Sequence, residues 1–342
     1  MNREFCSILA SISCVALAAP ALAQNYDFQW ATIDHPGNAP YQGTMDEWIT
    51  SGRGRVDHTY RMSKLEVTTA QWMEFVNTFS TQSQDLAYFA EPLYWGATED
   101  HSYGGPGIRW KLLDVPGAAM RPVTGFGWRT AAQYCNWLHN DKRSDLDAIK
   151  NGAYDTSTFV RNPDGSFADQ STHNPHAKFW IPTLDEWLKA VHYDPNRYGP
   201  DQGGWWRFPN TSDTAPIPGV PGVGDTSAGY APYGYSDGFD LPLGSYPTTV
   251  TPWGLLDASG GASEWLEDWL PPPDSFHFYR LYDGAPAGSP PYTVADEVGL
   301  TGAWVAVDPG AHIGLRIASI PGPSTPVVAL TSFFALTPRR RR

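Results

Sequence analysis

The sequence predicts a single α+β domain, rich in ordered loop, with few helices and short strands. Three observations lead there. Three segments, starting near residues 68, 128 and 183, place apolar residues at helical spacing, and two of them open with capping-box residues. Short apolar runs with extended character lie between and after them. The chain carries 33 Gly and 31 Pro, too many for long regular elements, yet its 15 Trp, 17 Tyr and 15 Phe are too many for disorder. There is no internal repeat and no linker that divides the 342 residues.

Taken in order, residues 25–57 form a polar, turn-rich entry containing His35-Pro36-Gly37-Asn38. Residues 56–65 read as extended, with Tyr60 and Met62 alternating against Thr59 and Arg61. Thr68 and Gln71 cap a first helix whose core face is Ala70, Met73, Val76 and Phe79. Residues 81–119 read as a long loop holding Tyr94-Trp95-Gly96, and loops of such length are usually functional. A second helix spans about residues 128–139 and buries Ala131, Tyr134, Cys135 and Leu138. Phe179-Trp180-Ile181-Pro182 is a short strand, and Thr183 with Glu186 caps a third helix ending near His192. Residues 195–250 are rich in Gly, Pro and Asp, with a strand expected at 241–246. Gly260-Gly261 reads as a tight turn inside the Trp-rich stretch 253–269, followed by Glu264 beside Trp265. A carboxylate there needs a cation or hydrogen bonds. Residues 304–307 and 313–317 are expected as a closing pair of strands.

Both ends read as addresses rather than fold. Residues 1–23 have a basic start at Arg3, an apolar middle at 8–17 and a small-x-small cleavage site at Ala21-Leu22-Ala23, as a secretory signal does. Cys6 and Cys14 leave with it, so Cys135 remains alone and no internal disulfide can form. On the helix face, Cys135 reads as an inert buried thiol. Residues 321–342 run from Pro321-Gly322-Pro323-Ser324 through an apolar stretch to Arg339–Arg342. They resemble the Pro-Glu-Pro sorting signal of bacteria that use exosortases, with Gly322 where that signal has Glu. The expectation is a protein secreted to, or held at, a bacterial surface after exosortase-type processing. A net charge of −13 makes nucleic acid a poor partner.

Five blocks stand in one order: Lys64-Leu65-Glu66-Val67-Thr68-Thr69-Ala70-Gln71-Trp72, residues 122–138, Ile181-Pro182-Thr183-Leu184-Asp185-Glu186-Trp187, residues 244–269, and Gly314-Leu315-Arg316. Together they resemble the formylglycine-generating enzyme family, or sulfatase-modifying-factor domain, over nearly all of residues 56–320. The resemblance implies a C-type-lectin-like α+β fold with twisted antiparallel strands, and a domain over residues 25–320. Its early Pro-Gly-Asn, His139-Asn140 and Thr211-Ser212-Asp213-Thr214-Ala215-Pro216 are similar to the subgroup that carries exosortase tails.

The family's enzymes use copper held by two cysteines near the C-terminus, a soft pair suited to Cu(I). Residues 301–317 contain no Cys, and the family's Gly-Phe-Arg-Cys-Ala reads Gly314-Leu315-Arg316-Ile317-Ala318. Formylglycine-generating activity and copper are therefore not expected. A related branch places iron on histidines of a separate helical domain, for which this chain has no room; His173 and His176 flank Pro175 without an obvious carboxylate partner. The resemblance does imply calcium, which takes loop oxygens. Asn210-Thr211 and Asp237-Gly238-Phe239 match one family site. The second keeps Glu264 but has Gly261 in place of its Asn ligand. What remains is a binding or matrix module, with Tyr94-Trp95, Trp205-Trp206 and residues 230–235 as aromatic contacts for an extracellular polysaccharide or surface protein. The alternative is an oxidoreductase of the same family with a relocated metal site.

Overall fold

The computed structural model describes residues 26–270, 279–288 and 297–321. The signal, at residues 1–23, and nearly all of the tail, at 321–342, lie outside the described residues.

The elements follow in order: β1 (Trp30–Ile33), β2 (Tyr60–Ser63), α1 (Thr69–Ser80), β3 (Ala97–Glu99), β4 (Trp110–Leu112), α2 (Trp128–His139), β5 (Phe179–Trp180), α3 (Leu184–His192), β6 (Tyr193–Asp194), β7 (Gly204–Trp205), the single turn α4 (Tyr235–Gly238), β8 (Ser263–Trp269), β9 (Tyr279–Asp283), β10 (Gly302–Val305), β11 (Ile313–Gly314) and β12 (Ala318–Ser319). This is the α+β, C-type-lectin-like arrangement, with three full helices among the described residues, many short strands and long ordered connections.

Two four-stranded sheets organise the chain, ordered β1-β2-β12-β5 and β10-β9-β8-β11. The first is antiparallel throughout. In the second, β11 runs parallel to β8, and β8-β9 and β9-β10 are antiparallel. The last stretch of chain serves both sheets. Ile313–Gly314 pairs with β8, and four residues later Ala318–Ser319 enters the first sheet beside β2. Leu315, Arg316 and Ile317 bridge the two, and the Leu315 and Ile317 carbonyls accept the N–H groups of Val67 and Ser63.

Thr68 caps α1 and Thr183 caps α3, each with the reciprocal glutamine or glutamate bond of a capping box. The buried face of α1 is Trp72, Phe75, Val76 and Phe79, so the expected face is turned: Ala70 and Met73 are only half-buried. The large rings win because they fill the space against α2. Trp72 stacks on Phe126 at 4.1 Å and on Tyr134 at 5.0 Å. On α2, Ala131, Tyr134, Cys135 and Leu138 are buried as expected.

Three strand expectations change. Every residue of β2 is buried, including Arg61, whose guanidinium lies 4.6 Å from the Trp30 ring and donates to the Ile320 carbonyl and the Ser319 hydroxyl. Residues 241–246 form turns rather than a strand, with Gly244 at φ 81° and the Leu243 N–H donated to Met120. The two closing strands do not pair with each other, since β10 pairs with β9 and β11 with β8. The turn at Gly260-Gly261 is present, with φ of 87° and 68°, and it launches β8, the longest strand.

Candidate ligand-binding cleft

The segment 81–119 is an ordered excursion built on a small hairpin of β3 and β4, in which Glu99 pairs with Trp110. Its seat is α1. The Asn77 side chain donates to the Trp110 carbonyl at 2.9 Å and accepts the Trp110 N–H at 2.7 Å. Tyr94 is fixed by a reciprocal backbone pair with Thr124, 3.0 and 3.2 Å. Between them Gly96 has no room for a side chain: a Cβ would lie 2.0 Å from the Ala118 carbonyl oxygen.

This framework holds four rings around one cavity of about 470 Å³. Tyr94 packs on Phe239 with centroids 5.6 Å apart, and Trp95 on Trp110 at 5.1 Å. Glu91, Glu99 and Asp240 add carboxylates to the lining. Asp240 is paired with Arg121 at 2.5 Å, and among the described residues Glu99 has only His101, at 3.8 Å. Partial burial, reinforced by the Glu99 charge, raises the Glu91 pKa above the ordinary glutamate value. A concave site of this size with aromatic walls and a few polar groups is the usual form of a small-ligand site.

Tyr94 and Trp95 thus line a cavity, while the other predicted pair is engaged with neighbouring loops. Trp205 donates its Nε1–H to the Ala39 carbonyl at 3.2 Å and packs between Tyr41 and Tyr193, 5.9 and 5.2 Å away. Trp206 donates to Asp194 at 3.1 Å, and the Arg197 guanidinium covers its ring at 4.2 Å. Those rings hold loops together.

The calcium candidates meet different surroundings. Asn210 donates its amide to the Thr214 carbonyl at 3.2 Å, while its buried Oδ1 accepts nothing from the described residues. Thr211, at φ 55°, donates its hydroxyl to the Val250 carbonyl. The Asp237 side chain is exposed, its carbonyl accepts the Asp240 N–H, and Phe239 is taken up by Tyr94.

Glu264 sits in a closed network. One oxygen accepts from Arg316 at 2.7 and 2.8 Å, and the other from the Trp187 indole at 2.5 Å. Arg316 also donates to the carbonyls of Ser63, Lys64 and Leu256. Burial opposes its charge, but Glu264, Glu66 and Asp257 together outweigh burial and keep the guanidinium pKa above its ordinary value. Glu66 lies alongside, both oxygens accepting the Ala262 N–H. A Cβ at Gly261 would lie 2.4 Å from a Glu66 oxygen, so Glu66 fills the place where the family's Asn ligand would project. Burial, and then the Glu264 charge, pushes the Glu66 pKa well above the carboxylate range.

His173 gains the carboxylate partner that the sequence left unnamed. Its Nδ1 lies 3.0 and 3.1 Å from the two Glu267 oxygens, its ring stacks on Trp180 at 4.6 Å, and Tyr154 donates to the same carboxylate. Burial opposes the imidazolium, yet Glu267 raises the His173 pKa above its ordinary value. Among the described residues no three His, Cys, Asp or Glu are grouped so as to hold a metal. Cys135 is fully buried, and burial pushes its thiol pKa well up.

Residues 35–319 match the family model described as "Sulfatase-modifying factor enzyme 1-like domain". No curated protein matches the chain. Among solved structures, CarF is 18% identical with a TM-score of 0.46, covering 86% of this chain and 99% of that one. Treponema denticola variable protein 1 is also 18% identical, TM-score 0.47, with 86% and 95% covered. PvdO from Pseudomonas aeruginosa is 14% identical, TM-score 0.40, with 86% and 92% covered.

Proposed function

Since the chain belongs to the sulfatase-modifying factor enzyme 1-like domain family, we propose that it uses that scaffold as an exported binding module, at the surface of a bacterium, without formylglycine-generating chemistry. The ligand proposed is a saccharide of the extracellular matrix. The observation that carries this reading is the cavity walled by Tyr94, Trp95, Trp110 and Phe239. Rings present flat apolar faces at low entropic cost, and carboxylates beside them accept hydrogen bonds from hydroxyls.

Copper chemistry of the family kind needs two thiolates, and the donors do not fit. Cys135 is fully buried on a helix, and Ile317, also fully buried, stands where the family's motif has Cys. Calcium remains the proposed structural ion, with Asn210, Thr211, Asp237 and Phe239 as its first site. The unpaired Oδ1 of Asn210 supports it, because a buried acceptor without a donor costs stability unless something binds it. At the second family position, Glu264 is committed to Arg316 and Trp187, so the proposal does not extend there.

Binding of matrix polysaccharide by the purified chain, lost in Trp95→Ala and kept in Arg197→Ala, is the expected result. Binding that survives Trp95→Ala with Tyr94→Ala would remove the cleft from the proposal.

A further inference from the structure

We infer that the cleft selects saccharides carrying free amino groups over neutral or acidic ones. This rests on the reading of the cleft as a saccharide site and adds the charge of its ligand. The carboxylates in the wall differ in how far they are neutralised. Asp240 is matched by Arg121, and Lys111 is turned to Asp100 at 3.5 Å. Glu99 has one weak partner in His101, and the Glu91 carboxylate has no hydrogen-bond or ion-pair partner among the described residues, its backbone N–H alone bonding, to Tyr88. Both carboxylates line one cavity walled by rings, where their like charges oppose each other. An ammonium group entering it would relieve that repulsion and meet the negative faces of Tyr94 and Trp95 at once.

The Trp110 indole, part of the same wall, is 4% exposed, and its N–H has no acceptor among the described residues. That N–H is closed to solvent, so the ring offers the cleft part of its face and not its donor. A neutral sugar could use the rings but would leave the two carboxylates unmatched. An acidic sugar would add to the repulsion, and the net charge of −13 acts in the same direction at long range.

The test titrates the full chain with glucosamine oligomers and with N-acetylglucosamine oligomers of equal length, which share rings and hydroxyls and differ in charge. The expected result is about tenfold tighter binding of the free-amine series, equivalent to about 1.4 kcal/mol, weakening as salt rises. Glu91→Gln with Glu99→Gln, both reaching solvent and nearly isosteric, should bring the two series together with an unchanged melting temperature. Equal affinity for the two series in the wild type, or a preference that survives the double substitution, would overturn the charge selectivity while leaving a saccharide site standing. Failure of the wild type to bind either series would overturn both readings.

Discussion

Arg316 shows how much can depend on one side chain. It is fully buried, pairs with Glu264 and donates to three backbone carbonyls. Removing one member of such a pair strands the other charge in a dry interior, which costs about 3–5 kcal/mol. Arg316→Met is expected to lose that much in denaturant melts, and Arg316→Met with Glu264→Gln less than the two single losses combined. Asp257 illustrates the opposite sign. It is buried at φ 56°, accepts the Gly244 N–H, and burial pushes its pKa up to about 6. The folded state therefore holds its proton more tightly than the unfolded chain, and stability falls as pH rises from about 4 to 6, by at most about 3 kcal/mol. Asn tolerates this backbone region and can accept the same N–H. Asp257→Asn should accordingly lose less melting temperature than the wild type between those two pH values.

At the scale of elements, the β3–β4 hairpin depends on its anchor more than on its own length. Two three-residue strands are marginal alone, and the Asn77 amide bonds fasten β4 to α1. Asn77→Ala leaves a buried N–H and C=O of Trp110 without partners, at a cost of about 1–3 kcal/mol. We expect faster amide exchange across residues 97–112 and weaker saccharide binding, with α2 unaffected. The capping boxes explain why α1 and α3 begin where the sequence predicts. Thr68 and Thr183 satisfy their N-terminal N–H groups locally, without reference to the rest of the chain. The face of α1 was less legible. Periodicity allowed Ala70 and Met73, but the volumes of Trp72 and Phe75 matched the gap against α2.

Across the whole molecule, the two sheets are joined by the short bridge at Leu315 to Ile317 and by long ordered loops. A loop-rich fold whose described residues hold a single, buried thiol relies on such internal bonds. If calcium holds the loop at Asn210, EDTA should lower the melting temperature of the wild type, and Asn210→Ala should abolish that EDTA effect. An EDTA-insensitive melting curve, with no calcium in the purified protein, would discard the ion.

The sequence by itself determined the α+β class, the starts of α1 and α3, the span of α2, the Gly260-Gly261 turn and the need for a partner at Glu264, because each follows from local rules of capping, spacing or solvation. The tertiary structure alone decided that the partner is Arg316, that His173 meets Glu267, and that β8 is a strand. Those pairings span long stretches of chain, and a strand buried on both faces has no alternation to betray it. The cleft divides in the same way. Tyr94-Trp95 was visible as a pair of rings in a long loop, whereas Trp110, Glu91, Glu99 and Asp240 join it only through hairpin register and the approach of a distant loop. Register and approach are set by packing, which no local spacing encodes.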